Sequence, residues 1–179
     1  MRVIAGEFRS RRLKSIPGRA TRPTPDRLRE TLFDILGSRG GGAVFLDAYA
    51  GTGAVGIEAI SRGAARGIFI ERSKAAEKVL RENVVSLGIE DRTVVELGAA
   101  AALIPRYEAG IVFLDPPYDH ESEYGRVFEI LGESPPELVI AQHSVRFELP
   151  DSCGALRRTR VVKQGDNSLS FYAALRAAC

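Results

Sequence analysis

Short apolar runs alternate with helical segments through the middle of this 179-residue chain, and this alternation limits the folds that it can adopt. The runs are almost continuously apolar, which is typical of strands covered on both faces of a parallel sheet. The predicted strands are Val44–Ala48, Gly67–Ile70, Thr93–Leu97, Ile111–Leu114 and Leu138–Ala141, and the predicted helices are Gly53–Arg62, Lys74–Leu87, a short helix near Ala99–Ile104, and Tyr124–Leu131. The sequence therefore predicts an α/β fold with helices on both faces of a mostly parallel sheet.

The two ends of the chain depart from this alternation. Arg158–Lys163 and Ser168–Leu175 are rich in strand-forming residues and flank the turn-forming sequence Gln-Gly-Asp-Asn. We therefore expect a C-terminal antiparallel hairpin added to the parallel sheet. Near the other end, Thr24 as the N-cap and Pro25 at the first helical position favour the start of an amphipathic helix.

Positive charge is concentrated near the N-terminus. The net charge is only +2, but residues 1–29 contain nine basic and two acidic residues, so this stretch carries +7 and the remainder about −5. Such asymmetry indicates a contact with nucleic acid, so we expect a basic arm over 1–24 and the main domain over 25–179. A solvated tail is the alternative interpretation. The candidate nucleic-acid contacts are Arg9, Arg11, Arg12, Arg22 and Arg27.

Other features narrow the class of protein. Cys153 and Cys179 show neither metal-ligand nor disulfide-framework spacing, so we interpret both as reduced thiols of a cytoplasmic protein. No apolar run approaches 18 residues, and the N-terminus lacks the features of a signal peptide. We therefore expect no membrane span, no signal peptide and no metal site.

A glycine-rich loop follows the first predicted strand of the alternating region. Gly51, Gly53 and Gly56 match the pattern G-x-G-x-x-G between a strand and a helix. Glycines at these positions let the backbone approach a ligand closely, and the helix N-terminus offers free N–H groups. The pattern alone would serve a dinucleotide or S-adenosylmethionine, and a purely structural turn is also possible.

Two carboxylates favour S-adenosylmethionine among these ligands. Asp47 ends the strand before the loop, where it would repel the phosphates of a dinucleotide and attract the ammonium group of the methionine moiety. Glu71 ends the next strand, where its carboxylate can accept hydrogen bonds from a ribose diol. The alternative for Glu71 is a solvated anion at a helix N-terminus. We interpret Asn83, on the helix that follows, as a polar surface position.

The most specific signal is the sequence Asp115-Pro116-Pro117-Tyr118 at the end of a buried strand. The prolines fix the backbone and remove two N–H donors, so the carbonyl groups of the turn can face the cleft. The Asp115 carboxylate and the Pro116 carbonyl could accept the two N–H bonds of a planar amino group and direct its nitrogen towards a methyl donor. Tyr118 could stack on the base. A strand-ending turn with a surface tyrosine is the structural alternative.

These motifs resemble the RsmD-like 16S rRNA guanine-N2 methyltransferases over nearly the whole chain. The residues that carry the resemblance are Arg2–Gly6 with Arg9, Arg11 and Leu13; Arg22-Pro23-Thr24 with Arg27, Arg29–Phe33 and Leu36; Leu46-Asp47 and Ala50–Ala59 with Ser61–Ala64; Asp115–Tyr118; and Lys163-Gln164-Gly165 with Ser168-Leu169. The resemblance implies a Rossmann-like class I methyltransferase with a seven-stranded sheet and a short basic N-terminal arm. It further implies S-adenosylmethionine as donor, and as substrate a guanine of 16S rRNA within an assembling small ribosomal subunit.

The same resemblance gives the roles of individual residues. Asp115, Pro116, Pro117 and Tyr118 would carry catalysis, and we expect the enzyme to be a monomer. The predicted cofactor contacts are Asp47, Ala48, Gly51, Thr52, Gly53, Glu71, Arg72, Gly98, Ala99 and Asp115. The chain departs from the family where an acidic residue near the adenine amino group is expected, because it has Gly98 and Ala99 there. It also has Gln142 where a carboxylate is expected.

Three other functions remain open from the sequence. The same turn occurs in enzymes that methylate adenine N6 in RNA or DNA, and only the family resemblance selects guanine. A non-catalytic RNA-binding assembly factor would be expected to have lost Asp115 or the glycines, and this chain retains both. A dinucleotide-dependent oxidoreductase is opposed by Asp47 and by the proline turn. Of the two histidines, we interpret His120 as incidental and His143 as structural.

Overall fold

The computed structural model describes residues 1–16, 25–117 and 122–175. The helices are α1 (Asp26–Leu36), α2 (Ala54–Ser61), α3 (Lys74–Leu87), α4 (Ala100–Leu103) and α5 (Ser122–Glu133), with 3₁₀ turns at Gly37–Gly40, Glu90–Arg92 and Ile104–Arg106. The strands are β1 (Val44–Asp47), β2 (Arg66–Glu71), β3 (Thr93–Leu97), β4 (Ile111–Leu114), β5 (Leu138–Ser144), β6 (Ser152–Cys153), β7 (Leu156–Gln164) and β8 (Asn167–Ala174). The predicted alternation of strands and helices is confirmed.

The strands form one mixed sheet in the order β3-β2-β1-β4-β5-β8-β7-β6. The first five are parallel, and β8, β7 and β6 continue the sheet in antiparallel fashion. The predicted hairpin is therefore present, but the predicted count of seven strands is wrong, because β6 adds an eighth. This strand has only two residues, Ser152 and Cys153, which is too short to leave a periodic signal in the sequence.

Helices cover both faces of the sheet. Phe45, Phe113 and Phe171 point to the face on which α1 and α2 pack, and Phe69 lies on the same side beneath α3. Leu46, Val112 and Val139 point to the opposite face, where α4 and α5 cover them. Because side chains alternate along each strand, the central parallel strands are buried on both sides. No helix in the described part of the chain is long and apolar enough to cross a membrane.

Residues 1–16, called the N-terminal segment below, fold back onto α2 and α3. An antiparallel bridge between Arg2 and Arg12 closes the segment into a loop. Val3, Phe8 and Leu13 are buried against apolar side chains of α2 and α3. The segment is therefore part of the main hydrophobic structure, and its exposed arginines are held on a packed surface.

Buried polar contacts fix the N-terminal segment in place. The Glu58 carboxylate of α2 is fully buried and accepts hydrogen bonds from the backbone N–H groups of Ile4 (2.8 Å) and Ala5 (3.0 Å). Gly6 lies so close to α2 that a Cβ atom there would be 1.8 Å from the Ser61 carbonyl oxygen. Arg29 is also fully buried, and its guanidinium donates to the Arg2 carbonyl at 2.6 Å. Arg29 is therefore a structural cation of this network.

Candidate active site

The glycine loop and the Asp-Pro-Pro turn lie side by side at one edge of the sheet. They follow β1 and β4, which are neighbouring parallel strands paired from Phe45 with Ile111 to Asp47 with Phe113. The Ala48 N–H extends this pairing by donating to the Phe113 carbonyl at 3.0 Å. From β1 the chain proceeds to β2 on one side, and β4 lies on the other, so this is the switch point at which open α/β sheets bind their ligands.

The conformation of the glycine loop explains its residue types. Gly53 has a φ of 91°, and a Cβ there would lie 2.4 Å from a methyl group of Leu80, so glycine is required for packing. Gly51 has a φ of 55°, but a Cβ there would meet no atom within 4 Å. Gly53 thus lets the loop pack against α3, whereas Gly51 borders open space in which a ligand can approach the backbone.

Asp47 is buried beneath this loop. Its Oδ2 accepts a hydrogen bond from the Gly56 N–H at 3.1 Å, while Oδ1 is buried and makes no hydrogen bond with any described residue. Burial raises the pKa of Asp47 to about 7, and the charges of Asp115 and Glu71 contribute to this rise. The neighbouring backbone N–H groups of Gly56 and Tyr49 oppose it. Three carboxyl groups therefore converge on the crevice, and a cationic ligand would relieve their mutual repulsion.

Glu71 also shapes the loop. One carboxylate oxygen accepts the Gly51 N–H at 2.7 Å, and the other accepts the Ser73 N–H at 2.7 Å. These bonds tie the end of β2 to the glycine loop and to the start of α3. Each oxygen retains a lone pair that could accept a hydroxyl group, so the predicted ribose contact remains a prediction.

The Asp115 turn, for which the sequence predicts a catalytic role, begins directly after β4. Asp115 is half-buried, Pro116 is buried and Pro117 is exposed, so the turn passes from the core to the edge of the crevice. Because Asp115 directly follows β4, which pairs with β1, it lies at the same edge of the sheet as the glycine loop. Tyr118 and His120 lie outside the described residues, so their predicted roles stay predictions.

Two polar residues at this edge were not predicted as part of the site. Asn83 is wrongly interpreted from sequence as a surface position, since it is only 1% exposed. Its amide donates to the carbonyl groups of Thr52 (2.9 Å) and Lys14 (3.2 Å) and accepts the Lys14 N–H (2.8 Å), which links the glycine loop to the N-terminal segment. The Tyr49 hydroxyl donates to Glu123 at 3.2 Å and so links the same loop to α5. Contacts between residues so far apart in sequence leave no local pattern.

The remaining predicted cofactor residues lie around the same edge. Ala48 is buried at the end of β1, and Thr52 is half-buried in the glycine loop. Arg72 is exposed after β2. Gly98 donates its N–H to the Glu71 carbonyl at 2.9 Å, and the exposed Ala99 precedes α4. These positions border the ends of β1, β2 and β3, and contact with a cofactor remains a prediction for each.

The predicted RNA contacts occupy two surfaces. Arg9, Arg11 and Arg12 are exposed on the N-terminal segment, where Arg11 also donates to the Ser86 carbonyl at 2.9 Å. Arg27 is exposed at the start of α1, and Arg22 lies outside the described residues. The structure therefore presents four of the five arginines to solvent, which RNA binding requires but does not by itself demonstrate.

Two polar residues near the end of β5 are buried. Gln142 lies beside the Asp115 turn, because it follows Ala141, which pairs with Leu114, the residue before Asp115. Oε1 of Gln142 makes no hydrogen bond with a described residue. The ring of His143 is within 2.9 Å of both the Ser170 hydroxyl and the Ser144 carbonyl, and burial lowers its pKa. In residues 1–16, 25–117 and 122–175, no three His, Cys, Asp or Glu side chains group as metal ligands would.

Comparison with known proteins identifies the family. The family model described as conserved hypothetical protein 95 matches residues 1–173. YlbH of Bacillus subtilis, provisionally named as an rRNA methyltransferase, is 33% identical over 96% of this chain and 98% of its own length. Ribosomal RNA small subunit methyltransferase D of Escherichia coli is 40% identical over 66% of this chain and 60% of its own length.

The chain belongs to the RsmD-like methyltransferase family. A solved structure of the Escherichia coli protein yhhF, provisionally described as a methyltransferase, has a TM-score of 0.84 at 30% identity and covers 97% of both chains. An RNA methyltransferase from Salinibacter ruber, solved in complex with S-adenosyl-L-homocysteine, has a TM-score of 0.65 at 20% identity over 88% of this chain and 96% of its own, which shows a shared fold. The predicted methyltransferase-like α/β fold is confirmed, with eight strands in place of seven.

Proposed function

We propose that this chain transfers a methyl group from S-adenosylmethionine to the exocyclic N2 of a guanine in 16S rRNA. The observation that carries the proposal is the adjacency of the glycine loop and the Asp115 turn at the switch point between β1 and β4. Membership of the RsmD-like family and the names of the relatives support rRNA as the substrate. We further propose that the protein acts in the cytoplasm, on rRNA within an assembling small subunit.

The residues of the crevice fit S-adenosylmethionine. Asp47 offers a buried carboxyl oxygen that makes no hydrogen bond with a described residue, next to a loop with open space at Gly51. A ligand with ammonium and sulfonium groups would balance the carboxyl groups of Asp47, Glu71 and Asp115. The structure of the Salinibacter ruber enzyme with S-adenosyl-L-homocysteine, the product expected here, supports the same assignment.

The chain's own residues would orient and activate the amino group. The lone pair of a guanine amino group is delocalised into the ring, so the nitrogen must be positioned accurately to react. The Asp115 carboxylate and the Pro116 carbonyl would accept its two N–H bonds and stabilise the positive charge that develops on nitrogen. When bound, S-adenosylmethionine supplies the methyl group, as the nitrogen–carbon bond forms and the electron pair of the carbon–sulfur bond stays on sulfur. The surplus proton then passes to Asp115 or to water.

A methylation assay with several nucleic acids tests the substrate. The protein is incubated with labelled S-adenosylmethionine and, separately, with under-methylated small subunits, naked 16S rRNA and DNA, and the nucleosides are then separated. We expect label in N2-methylguanosine from an rRNA substrate. Label in N6-methyladenosine would instead establish the adenine alternative, and absence of label from every nucleic acid would overturn the proposal.

The Asp115→Ala variant tests the division of roles within the site. We expect turnover to fall by about 10²-fold or more, because an acceptor aimed at developing charge is removed. Binding of S-adenosylmethionine, measured by calorimetry, should stay within a few-fold of the wild-type value. Asp91→Ala removes an exposed carboxylate remote from the crevice and serves as the control. Loss of cofactor binding in Asp115→Ala would contradict the assignment of Asp115 to the substrate.

A further inference from the structure

The outer strands of the sheet carry a cationic surface that the sequence alone does not connect with function. Strand β7 contains four basic residues and no acidic residue among its nine positions. Arg158 is paired with Asp151 and donates to the Leu149 carbonyl. Arg157, Arg160 and Lys163 are exposed and form no ion pair with another described residue. We call these three residues the β7 cations.

The position of β7 in the sheet leaves these cations accessible. Strand β6 pairs only with Leu156 and Arg157, so the rest of β7 forms the outer edge of the described sheet. Val161 lies on this edge with 40% of its surface exposed. The span from Arg157 to Lys163 is six residues, or about 20 Å of extended strand. Arg157 and Arg160 pair with Ala173 and Phe171 and lie on the face of the sheet that α1 covers, whereas Lys163 pairs with Ser168 and lies on the opposite face. The cations therefore line this edge from both faces, over a length that can follow several phosphates of a nucleic-acid strand.

The C-terminal end of β7, which carries Lys163, lies near the candidate active site. Lys163 pairs with Ser168, and Ser168 pairs with His143 at the end of β5. The end of β7 therefore lies at the same edge of the sheet as the Asp115 turn, three strand spacings, or about 15 Å, from β4. A nucleotide held at Asp115 would have flanking phosphates within reach of Lys163.

Helix α1 makes this surface continuous with a predicted RNA contact. The Thr31 hydroxyl donates to the Arg27 carbonyl at 2.9 Å and lies 3.3 Å from Oε1 of Gln164, the last residue of β7. Arg27 is exposed one helical turn before Thr31. On the α1 side of the sheet, exposed positive charge is therefore present at Arg27, Arg160 and Arg157.

We infer that the β7 cations and Arg27 form an RNA-binding surface that holds the strand flanking the target nucleotide. The inference rests on the proposed rRNA substrate. Besides the arginines of the N-terminal segment, it assigns a second RNA-binding surface, which lies at the opposite end of the sheet from β3. A competing explanation is that charges on an edge strand only prevent strand-to-strand aggregation. The two explanations differ in what they require. Protection against aggregation requires charge of either sign on the edge strand, whereas RNA binding requires positive charge that contacts the phosphates.

The test compares three matched triple variants in binding to unmodified 16S rRNA at several salt concentrations. Arg157→Gln, Arg160→Gln and Lys163→Gln together should weaken binding at least about tenfold and lower the slope of log affinity against log salt by about two. Arg157→Lys, Arg160→Lys and Lys163→Arg keep the charge and should bind like the wild type. Arg39→Gln, Arg66→Gln and Arg106→Gln remove three exposed cations at the opposite edge of the parallel strands and should leave the slope unchanged.

The outcomes separate this inference from the proposed function. Circular dichroism and size-exclusion chromatography establish that each variant is folded and monodisperse before binding is measured. If the wild type binds and methylates rRNA but the glutamine set binds equally well, the β7 surface is overturned and the proposed function stands. An aggregated glutamine set with an unchanged slope in its soluble fraction would assign the cations to edge protection. A wild type that neither binds nor methylates rRNA would overturn both proposals.

Discussion

At the scale of single residues, the crevice is defined by a buried carboxyl group whose charge the fold alone does not balance. Asp47 is 2% exposed, and it shares the crevice with Asp115 and Glu71, which raise its pKa together with burial. A raised pKa in the folded state means that ionised Asp47 opposes folding. A bound cationic ligand instead stabilises the folded protein with Asp47 ionised, because the positive charge favours the carboxylate. The residue therefore couples cofactor binding to pH.

We predict that affinity for S-adenosylmethionine rises with pH through the pKa of about 7 of Asp47. The ionised fraction of such a group grows about tenfold between pH 6 and pH 8, so calorimetry should show a comparable rise in affinity. In Asp47→Asn the affinity should be lower and independent of pH. An unchanged pH dependence in this variant would assign the titration to another group.

The stability of the ligand-free protein provides the control for this prediction. Asp47 has a raised pKa in the folded state, so its contribution to the free energy of unfolding is largest below the unfolded pKa near 3.8 and is lost as pH rises to about 7. Asp47→Asn should therefore be more stable than the wild type at pH 8, and the difference should shrink as pH falls towards 4. Urea unfolding at several pH values measures it.

At the scale of elements, the sequence predicts best where local signals decide the structure. The predicted bounds of α3, β3 and β4 are those observed. Helix α3 begins after Ser73, whose hydroxyl accepts the Ala76 N–H, and ends at Gly88 in the left-handed conformation. The position of the glycine loop and the Asp115 turn at one edge of the sheet also follows from sequence, because both end parallel strands, whereas the pairing of β1 with β4 is a finding of the structure.

Elements held by distant contacts are predicted less well. The N-terminal segment depends on Glu58 and Asn83, which look like ordinary polar positions of α2 and α3 in the sequence. Strand β6 exists only because Ser152 and Cys153 meet β7. The sequence predicted the charge of the N-terminal segment, but the buried face on which the segment packs could not be derived from it.

Gly6→Ala should test how firmly the N-terminal segment is docked. Gly6 has a φ of 81°, and an added Cβ would overlap the Ser61 carbonyl, which cannot move without displacing α2. Gly88→Ala is the matched control, since Gly88 has a φ of 67° and a Cβ there would meet no atom within 4 Å. We expect Gly6→Ala to cost about 1–3 kcal/mol more than the control in urea unfolding.

Hydrogen exchange distinguishes undocking of the segment from global loss of stability. Undocking should expose the Ile4 and Ala5 N–H groups, which now donate to Glu58, while protection in β1 and β4 persists. Equal unfolding free energies for Gly6→Ala and Gly88→Ala, with intact protection at Ile4, would show that the segment accommodates the added atom.

At the scale of the whole molecule, the two proposed RNA-binding surfaces lie on either side of the candidate active site. The N-terminal segment packs over α2 and α3, which cover the β1, β2 and β3 part of the sheet, whereas the β7 cations lie near the other end. The Asp115 turn follows β4, which lies between them in the strand order. One RNA molecule that places a base at Asp115 could therefore be held on both sides of the crevice.

This arrangement predicts independent contributions of the two surfaces to RNA binding. Neutralising Arg9, Arg11 and Arg12 to glutamine should reduce affinity for 16S rRNA and lower the salt slope by about 0.7–0.9 for each phosphate that the variant no longer neutralises. Because the two sets are far apart and share no partner, combining these changes with the β7 glutamine set should add their effects on log affinity. Binding titrations of the wild type, both triple variants and the sextuple variant measure whether the two effects on log affinity add. If the sextuple variant binds RNA no more weakly than the triple variant with the lower affinity, the two surfaces do not hold the RNA independently. An unchanged salt slope in the N-terminal triple variant would show that this segment is not part of the RNA interface.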